Sequence, residues 1–262
     1  MKIWYDGSPY NSTMLVEEPY LDNEFTREAI GIKPGAVGHA NWNEKKLYEA
    51  VDEMHRRGWQ IGIHTQGDRA TREVLQVMED VIRRAPRADT RHRFEHLMLT
   101  EPALFNRFAD AGFEASFHIE HVYYYGRILR DGLLGEERFN RLLPVQSAFA
   151  AGLKPSLHSD HPMFSSTPIQ MIKTAVIRRT KEGDVVAMKQ GISVEQALRA
   201  MTINPAWQVH EDHNTGSIVV GKFADLVVLS ENPLEVPPEQ LDRITIDATY
   251  VGGRTVWEAG NE

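Results

Sequence analysis

The chain has 262 residues, 42% of them hydrophobic and 25% charged, a composition typical of a globular protein large enough to bury a core. A formal net charge of -8 and the lack of a long Lys/Arg run argue against nucleic acid and anionic membrane surfaces as partners. The absence of cysteine excludes disulfides and thiolate ligands, so any metal must be held by His, Asp, Glu or Lys. No apolar run reaches membrane-spanning length, and the opening residues read as a buried strand rather than a signal peptide, so we expect a cytoplasmic protein.

Strands and helices alternate over most of the chain. Strands are predicted to begin at Lys2, Trp59, Arg91, Phe113 and Leu153. Between them, apolar residues at helical spacing predict helices over residues 43–58, 70–84, 101–112 and 146–152. This order predicts an α/β fold with a parallel sheet and helical crossovers.

Two long segments interrupt the alternation. Residues 8–40 contain several prolines and glycines, and residues 119–144 carry the tyrosine run Tyr123 to Tyr125, with a helix predicted at 136–142. Long segments inside a compact domain often cover an active site. We therefore expect both segments to lie over the functional site and to set substrate preference.

After Pro162 the predicted elements no longer alternate: two helices come first and strands follow. Helices are predicted over 168–179 and 193–203, the second opened by a capping box of Ser193 and Gln196. Strands follow at 217–220, 225–229, 244–251 and 255–259, with Gly252-Gly253 as a hairpin signal. The predicted domains are therefore an α/β body, residues 1–210, and a small β unit, residues 211–262.

The ends of the predicted strands carry ionisable side chains. Three strands end on His64, His96 and His118, and the last leads into Asp160. The carboxyl ends of parallel strands share one face, where catalytic side chains collect, and imidazole with carboxylate suits zinc, manganese or iron. A single strand-end histidine is more often structural, and Asp160 can equally cap a turn before proline, so the pattern alone leaves both interpretations open.

Four motifs in chain order resemble the amidohydrolase superfamily, specifically its amidohydrolase family 3 branch. They are H-x-x-G-D-R-A at 64–70, R-F-E-H at 93–96, L-H-S-D-x-P at 157–162 and G-S-I-x-x-G-K-x-A-D-L-V-V-L at 216–229. The resemblance implies that the body is a partial (β/α)8 TIM barrel, strands four to eight, and that the tail belongs to a small composite β-sandwich.

The same resemblance implies a set of site residues. His64 and His96 would be metal ligands, Asp160 a ligand and the general acid/base, and Lys2 either a carboxylated ligand or an ordinary solvated residue. His118 and His121 lie where the family places substrate-contacting residues. The implied cofactor is a divalent metal, zinc first, with manganese and iron as alternatives. The implied reaction is hydrolysis of a carbon–nitrogen bond in a small-molecule amide by a metal-activated water.

The family carries an H-x-H pair on its first barrel strand, and no such pair precedes Lys2 here. We therefore expect a truncated enzyme whose partner is a second copy or a complementary amino-terminal chain. The alternative is a non-catalytic remnant or binding subunit. A deaminase is less favoured, because His64 is followed by Thr65, Gln66 and Gly67 instead of forming H-x-x-E. If the chain supplies its own replacement ligands, His39 and His55 are the first candidates.

Overall fold

Five short parallel strands form the central sheet of the computed structural model, which describes residues 1–260. In chain order these are β1 (Lys2–Trp4), β2 (Gly62–Thr65), β3 (Arg93–His96), β4 (Glu114–His118) and β5 (Ser156–His158). Each strand pairs with the next in the sequence, so spatial order follows chain order. The predicted parallel α/β sheet is confirmed, with strand boundaries displaced by a few residues.

Helices connect the strands and continue after β5. They are α1 (Glu44–Arg56), α2 (Asp68–Arg84), α3 (Leu104–Ala111), α4 (Glu120–Ile128), α5 (Gly135–Phe139), α6 (Val145–Ala150), α7 (Pro168–Ile177), α8 (Val194–Met201) and α9 (Ile203–Gln208). The predicted capping box of Ser193 and Gln196 is present at the start of α8. None of the helices within residues 1–260 is both long and apolar enough to cross a membrane.

Residues 119–144 are helical over most of their length, whereas the sequence predicts a helix only at 136–142. A π-helix (Leu129–Leu134) follows α4 directly and leads into α5, which is the helix predicted at 136–142, displaced toward the amino terminus. The wider π turn breaks the 3.6-residue period, so the buried apolar side chains did not show helical spacing. Gly126 also interrupts the run of apolar side chains in α4. A Cβ at this position would lie 2.6 Å from Thr180 Cγ2, so only glycine lets α4 pack this closely.

The tail forms a three-stranded antiparallel sheet in the order β6 (Leu226–Leu229), β7 (Ile246–Val251) and β8 (Arg254–Glu258). The predicted hairpin at Gly252-Gly253 is present, and both glycines have positive φ angles. The strand predicted at 217–220 does not form; Ile218 and Val220 are 89% and 102% exposed, and no strand among residues 1–260 pairs with this stretch. Residues 261 and 262, the end of the predicted 211–262 unit, lie outside the described residues.

A fully buried histidine pair joins α1 to the residue before β3. His92 Nδ1 accepts the backbone N–H of Ile61 (3.0 Å), so His92 carries its proton on Nε2 and donates it to His55 Nδ1 (3.0 Å). His55 Nε2 in turn donates to the carbonyl oxygen of Ala85 (2.7 Å). All four ring nitrogens are therefore engaged in the neutral form, which removes His55 as a replacement metal ligand.

Because of this buried pair, we expect the stability of the fold to decrease at acidic pH. Burial lowers the pKa of His92 to about 3, below its ordinary value of 6.5, because the charged ring loses its hydration. Below pH 6.5 the unfolded chain binds a proton that the folded chain does not, so stability is full above pH 6.5 and falls as pH drops toward 3. The free energy of unfolding, measured with urea, should fall between pH 6.5 and pH 3 by several kcal/mol more in the wild type than in His92→Asn. Parallel pH profiles would contradict this assignment.

Candidate metal and substrate site

A cavity of about 520 Å³ opens at the carboxyl ends of β1, β2 and β3. Its lining residues are Lys2, Trp4, Asp6, Gly7, Ser8, Thr13, His39, Asn41, His64, His96 and Asp160. All four residues predicted as metal ligands are therefore in one cavity. The segment 8–40 contributes to its wall, as expected, and His118 and His121 are not among the lining residues.

Asp6 was not singled out from the sequence, yet it organises one side of this cavity. Its Oδ1 accepts the Nδ1–H of His64 (3.0 Å) and the backbone N–H of Gln66 (3.0 Å), while Oδ2 accepts the N–H groups of Leu15 (3.1 Å) and Gly67 (3.0 Å). The carboxylate is 2% exposed, so these four bonds supply its solvation. With Nδ1 donating to Asp6, neutral His64 presents the lone pair of Nε2 as a ligand.

Lys2 is the first residue of β1 and also lines the cavity. Its Nζ is 3.8 Å from Glu95 Oε1. Burial lowers the pKa of Lys2, and the attraction of Glu95 opposes that shift without cancelling it. A lowered pKa increases the neutral amine, which is the form that can be carboxylated or can bind a metal.

Asp160 follows β5 in an exposed position. Its φ of 53° lies in the left-handed region, which Asp tolerates better than most residues because its short side chain can hydrogen-bond locally. An exposed carboxylate on a cavity wall remains hydrated and accessible to a small molecule. It can therefore exchange protons without the cost of burying a charge.

His96, which lines the cavity, also forms a second cluster with His118 and His158. Each offers one ring nitrogen, and these three atoms lie within 4.8 Å of one another. Ring centroids are 5.0 Å apart for His118 and His158 and 5.0 Å for His96 and His158. Burial lowers the pKa of His118 to about 2 and of His158 to about 3, so both rings are neutral and retain a lone pair. His158 was not predicted as a ligand, although it directly precedes Ser159 and Asp160 in the motif.

These donor sets fit a divalent metal ion. The cavity combines the amine of Lys2 with three imidazoles and two carboxylates, and the second cluster adds the imidazoles of His118 and His158. His96 Nδ1 and His158 Nε2 are buried without a hydrogen-bond partner among the described residues. Oriented imidazoles beside a carboxylate are the usual ligands of zinc, manganese and iron in cysteine-free sites.

The two long segments meet around His121. Tyr10 Oη hydrogen-bonds with His121 Nδ1, and Gln66 Nε2 lies 3.4 Å from His121 Nε2. The His121 ring is also 3.9 Å from that of His118, centroid to centroid. His121 therefore adjoins the histidine cluster, but both of its nitrogens already have partners.

An aromatic group of Tyr124, Tyr125 and Phe164 lies beside the histidine cluster, although no residue of the segment 119–144 lines the cavity. The Tyr124 ring stacks on Phe164 (4.6 Å, 4°), Phe164 lies 5.3 Å from the His118 ring, and Tyr125 lies 5.6 Å from Phe164. Tyr123 makes a ring contact with Tyr124 and none with Phe164. The three tyrosines are thus not equivalent, and two of them connect to the histidine cluster through Phe164.

Replacing Tyr124 with alanine is expected to change substrate preference more than metal content. Loss of the stacked ring removes an aromatic contact of about 0.5–1.5 kcal/mol, which corresponds to about a two- to tenfold change in relative KM between aromatic and aliphatic substrates. Tyr123→Ala is the matched control on the same helix, with a smaller expected effect. Equal losses of stability and of activity on all substrates would show that these rings only pack the helix onto the body.

The family model described as "Amidohydrolase family" matches residues 1–257. The chain belongs to amidohydrolase family 3. The resemblance carried by the four motifs is thereby confirmed. Among curated proteins, the chain is 30% identical over 238 residues to the N-substituted formamide deformylase of Arthrobacter pascens, covering 89% of this chain and 44% of that protein. It is 29% identical to LONG AFTER FAR-RED 3 of Arabidopsis thaliana, covering 98% of this chain and 42% of that protein.

A solved structure with a similar fold is a metal-dependent hydrolase from Pyrococcus furiosus, with a TM-score of 0.74 and 23% identity. The match covers 90% of this amidohydrolase chain and 45% of the Pyrococcus chain. The chain therefore spans about half the length of the relatives it matches. The five-stranded and three-stranded sheets correspond to a portion of an amidohydrolase structure.

Proposed function

We propose that this amidohydrolase chain contains the hydrolytic half-site of a metal-dependent enzyme that cleaves carbon–nitrogen bonds in non-peptide, small-molecule amides. The observation that carries the proposal is the single cavity lined by Lys2, His64, His96 and Asp160. In this proposal β1 to β5 are strands four to eight of a (β/α)8 barrel, with the catalytic face at their carboxyl ends. The three-stranded sheet is part of a composite β-sandwich.

His64, His96 and Asp160, with Lys2 in its neutral or carboxylated form, would hold the ion, zinc first and manganese or iron as alternatives. When bound, such an ion polarises the scissile carbonyl and lowers the pKa of a coordinated water. Asp6 fixes the tautomer of His64, so the ligand nitrogen is oriented in advance.

Asp160 performs the proton transfers in this proposal. Its carboxylate takes a proton from the attacking water and returns it to the leaving amine nitrogen, which cannot depart as an amide anion. Its exposed position on the cavity wall gives the substrate access to it. The side chains of Ser8, Thr13 and Asn41 add polar groups to the same wall.

Formamides and other N-acyl amines are the proposed substrate class. The support is the similarity to an N-substituted formamide deformylase, together with an aromatic group beside the histidines that can accept an apolar N-substituent. The predicted substrate-binding residues His118 and His121 are buried outside the cavity lining, so in this proposal they would support the pocket from beside His96 and would not contact the substrate directly.

A substrate panel tests this proposal. The purified, metal-loaded chain is incubated with N-benzylformamide, N-acetylated amino acids, a cyclic amide, an ester and adenine, and the release of amine, acid or ammonia is measured. We expect amine release from the formamide and the N-acyl compounds, and no ammonia from adenine. Release of ammonia from adenine, or hydrolysis of the ester alone, would contradict the proposed amide hydrolysis and assign the chain to another reaction class.

A binding subunit is the second candidate, and the exposed surfaces of this chain favour it. No strand within residues 1–260 pairs with the outer edge of β1 or β5. Val227, Val256 and Trp257 on the tail sheet are 52%, 59% and 48% exposed. Open strand edges and exposed apolar groups promote association with other chains.

The purified chain is therefore expected to self-associate, or to bind a complementary amino-terminal chain that covers these edges. Sedimentation velocity of the chain at several concentrations measures this directly. We expect species larger than 29.8 kDa at micromolar concentration. A monodisperse monomer with ordinary enzymatic turnover would contradict it and would show that the chain completes its own site.

A further inference from the structure

A second cation site adjoins the cavity, and we propose that His96, His118 and His158 bind a divalent transition-metal ion as an all-imidazole site. His118 and His158 lie outside the set of ligands assigned to the hydrolytic site. The inference goes beyond amide hydrolysis, because it requires an ion to bind here whether or not the chain cleaves a substrate.

The sheet itself brings the three rings together. His96, His118 and His158 end the adjacent strands β3, β4 and β5. His118 and His158 are partners in the parallel register, so their side chains leave the same face of the sheet, and their rings are stacked at 24°. The His96 ring lies 5.7 Å from that of His118. The register alone brings His118 and His158 together, whereas His96 is in register with Phe117 and reaches them because its backbone leaves the strand conformation at a φ of 76°.

The unpaired nitrogens distinguish this cluster from an ordinary packed group. His96 Nδ1, both nitrogens of His118 and His158 Nε2 are buried without a hydrogen-bond partner among residues 1–260. Each such atom costs about 1–3 kcal/mol. His55 and His92, by contrast, have every nitrogen bonded. The fold thus satisfies a structural histidine pair completely and leaves four nitrogens of this cluster available to a ligand.

The backbone at His96 supports a functional role for its position. His96 and Leu97 have φ angles of 76° and 50°, in the left-handed region that costs non-glycine residues about 1–3 kcal/mol. The Leu97 N–H donates to the carbonyl oxygen of Thr65 (2.9 Å), which anchors this turn to β2. Strain of this kind persists where the surrounding structure fixes a side chain for a purpose.

The chemistry of the donors selects the ion. Three neutral imidazoles with no carboxylate among them favour zinc, cobalt, nickel or copper and disfavour magnesium and calcium, which prefer oxygen ligands. Three imidazoles leave one position of a tetrahedral zinc ion open. Because His96 also lines the cavity, the two sites are neighbours that share this residue.

Metal titration of the full chain tests the proposal. The double variant His64→Gln/Asp160→Asn lacks two ligands of the hydrolytic site but keeps the three histidines. After chelation and dialysis, we expect it to bind one equivalent of zinc or cobalt by calorimetry. Adding His118→Gln or His158→Gln should weaken that binding by at least about 100-fold, the upper effect of losing a residue that only supports a ligand. His161→Gln, an exposed histidine nearby, is the matched control and should leave it unchanged.

X-ray absorption of the zinc-loaded double variant avoids any dependence on how the histidine variants fold. We expect a spectrum that requires three imidazole ligands, with Zn–N distances of about 2.0–2.1 Å. No bound zinc in the double variant, or binding that is insensitive to both His118→Gln and His158→Gln, would overturn the site. Failure of the substrate panel with zinc still bound here would overturn amide hydrolysis alone.

Discussion

Replacing Asp160 with asparagine is expected to lower turnover of an amide substrate by at least about 100-fold, the lower end of what general acid/base catalysis contributes. Asparagine preserves the shape of the side chain but cannot accept the proton of the attacking water. Because Asp160 is exposed and its carboxylate has no hydrogen bond or ion pair within residues 1–260, the free energy of unfolding should change by less than about 0.5 kcal/mol. Single-turnover kinetics and urea unfolding of the two proteins give both numbers.

The control for this experiment is His161→Gln, a substitution in the adjacent exposed residue. It should keep most of the activity, since it leaves the carboxylate in place. Metal content is measured in every variant, because loss of a ligand and loss of a base both reduce turnover. Near-full activity of Asp160→Asn with metal bound would remove Asp160 from the chemistry.

The second large effect is expected at Asp6. Asp6→Asn replaces a buried carboxylate that accepts three backbone N–H groups and the Nδ1–H of His64. The neutral amide offers one oxygen and turns an NH2 group toward other donors, so we expect a loss of at least about 2 kcal/mol in the free energy of unfolding. His64 also loses the partner that fixes its tautomer, and metal affinity should fall by about 10- to 100-fold.

Asp22→Asn is the matched control for Asp6, since Asp22 also lies between β1 and α1 but pairs with Arg27 at the surface. Its expected effect on unfolding is below about 0.5 kcal/mol. Urea unfolding and competition with a chelator measure stability and affinity separately. An Asp6→Asn protein with wild-type values for both would mean that the His64 ligand nitrogen is oriented by other contacts.

The sequence predicted the parts of the fold that depend on local periodicity. The strand ends at His96 and His118, and the end of β2 one residue after His64, could be located because alternating apolar residues stop there, and parallel pairing then places the three histidines at one edge. The register that pairs His118 with His158 is a tertiary property, so the sequence did not reveal His158 as a candidate ligand. Asp6 was missed for the same reason: its four donors come from residues up to 61 positions away.

Two errors had identifiable physical causes. The π-helix at Leu129–Leu134 removes the 3.6-residue signal from a segment that is nevertheless buried and helical. The stretch 217–220 alternates as a strand should, but a strand requires a neighbour, and none among residues 1–260 pairs with it. In the first case the local pattern lacks the helical period, and in the second the pattern is that of a strand but the packing partner is missing among the described residues.

Metal dependence of hydrolysis tests the proposed function most directly. The chain is stripped with a chelator, dialysed and assayed with N-benzylformamide before and after addition of zinc, manganese or iron, with Asp160→Asn as the background. We expect amine release to fall to the Asp160→Asn background in the stripped protein and to return when the ion is restored. Equal amine release by the stripped and the reloaded protein, or no release above the Asp160→Asn background with metal bound, would contradict a metal-dependent amide hydrolase centred on Lys2, His64, His96 and Asp160.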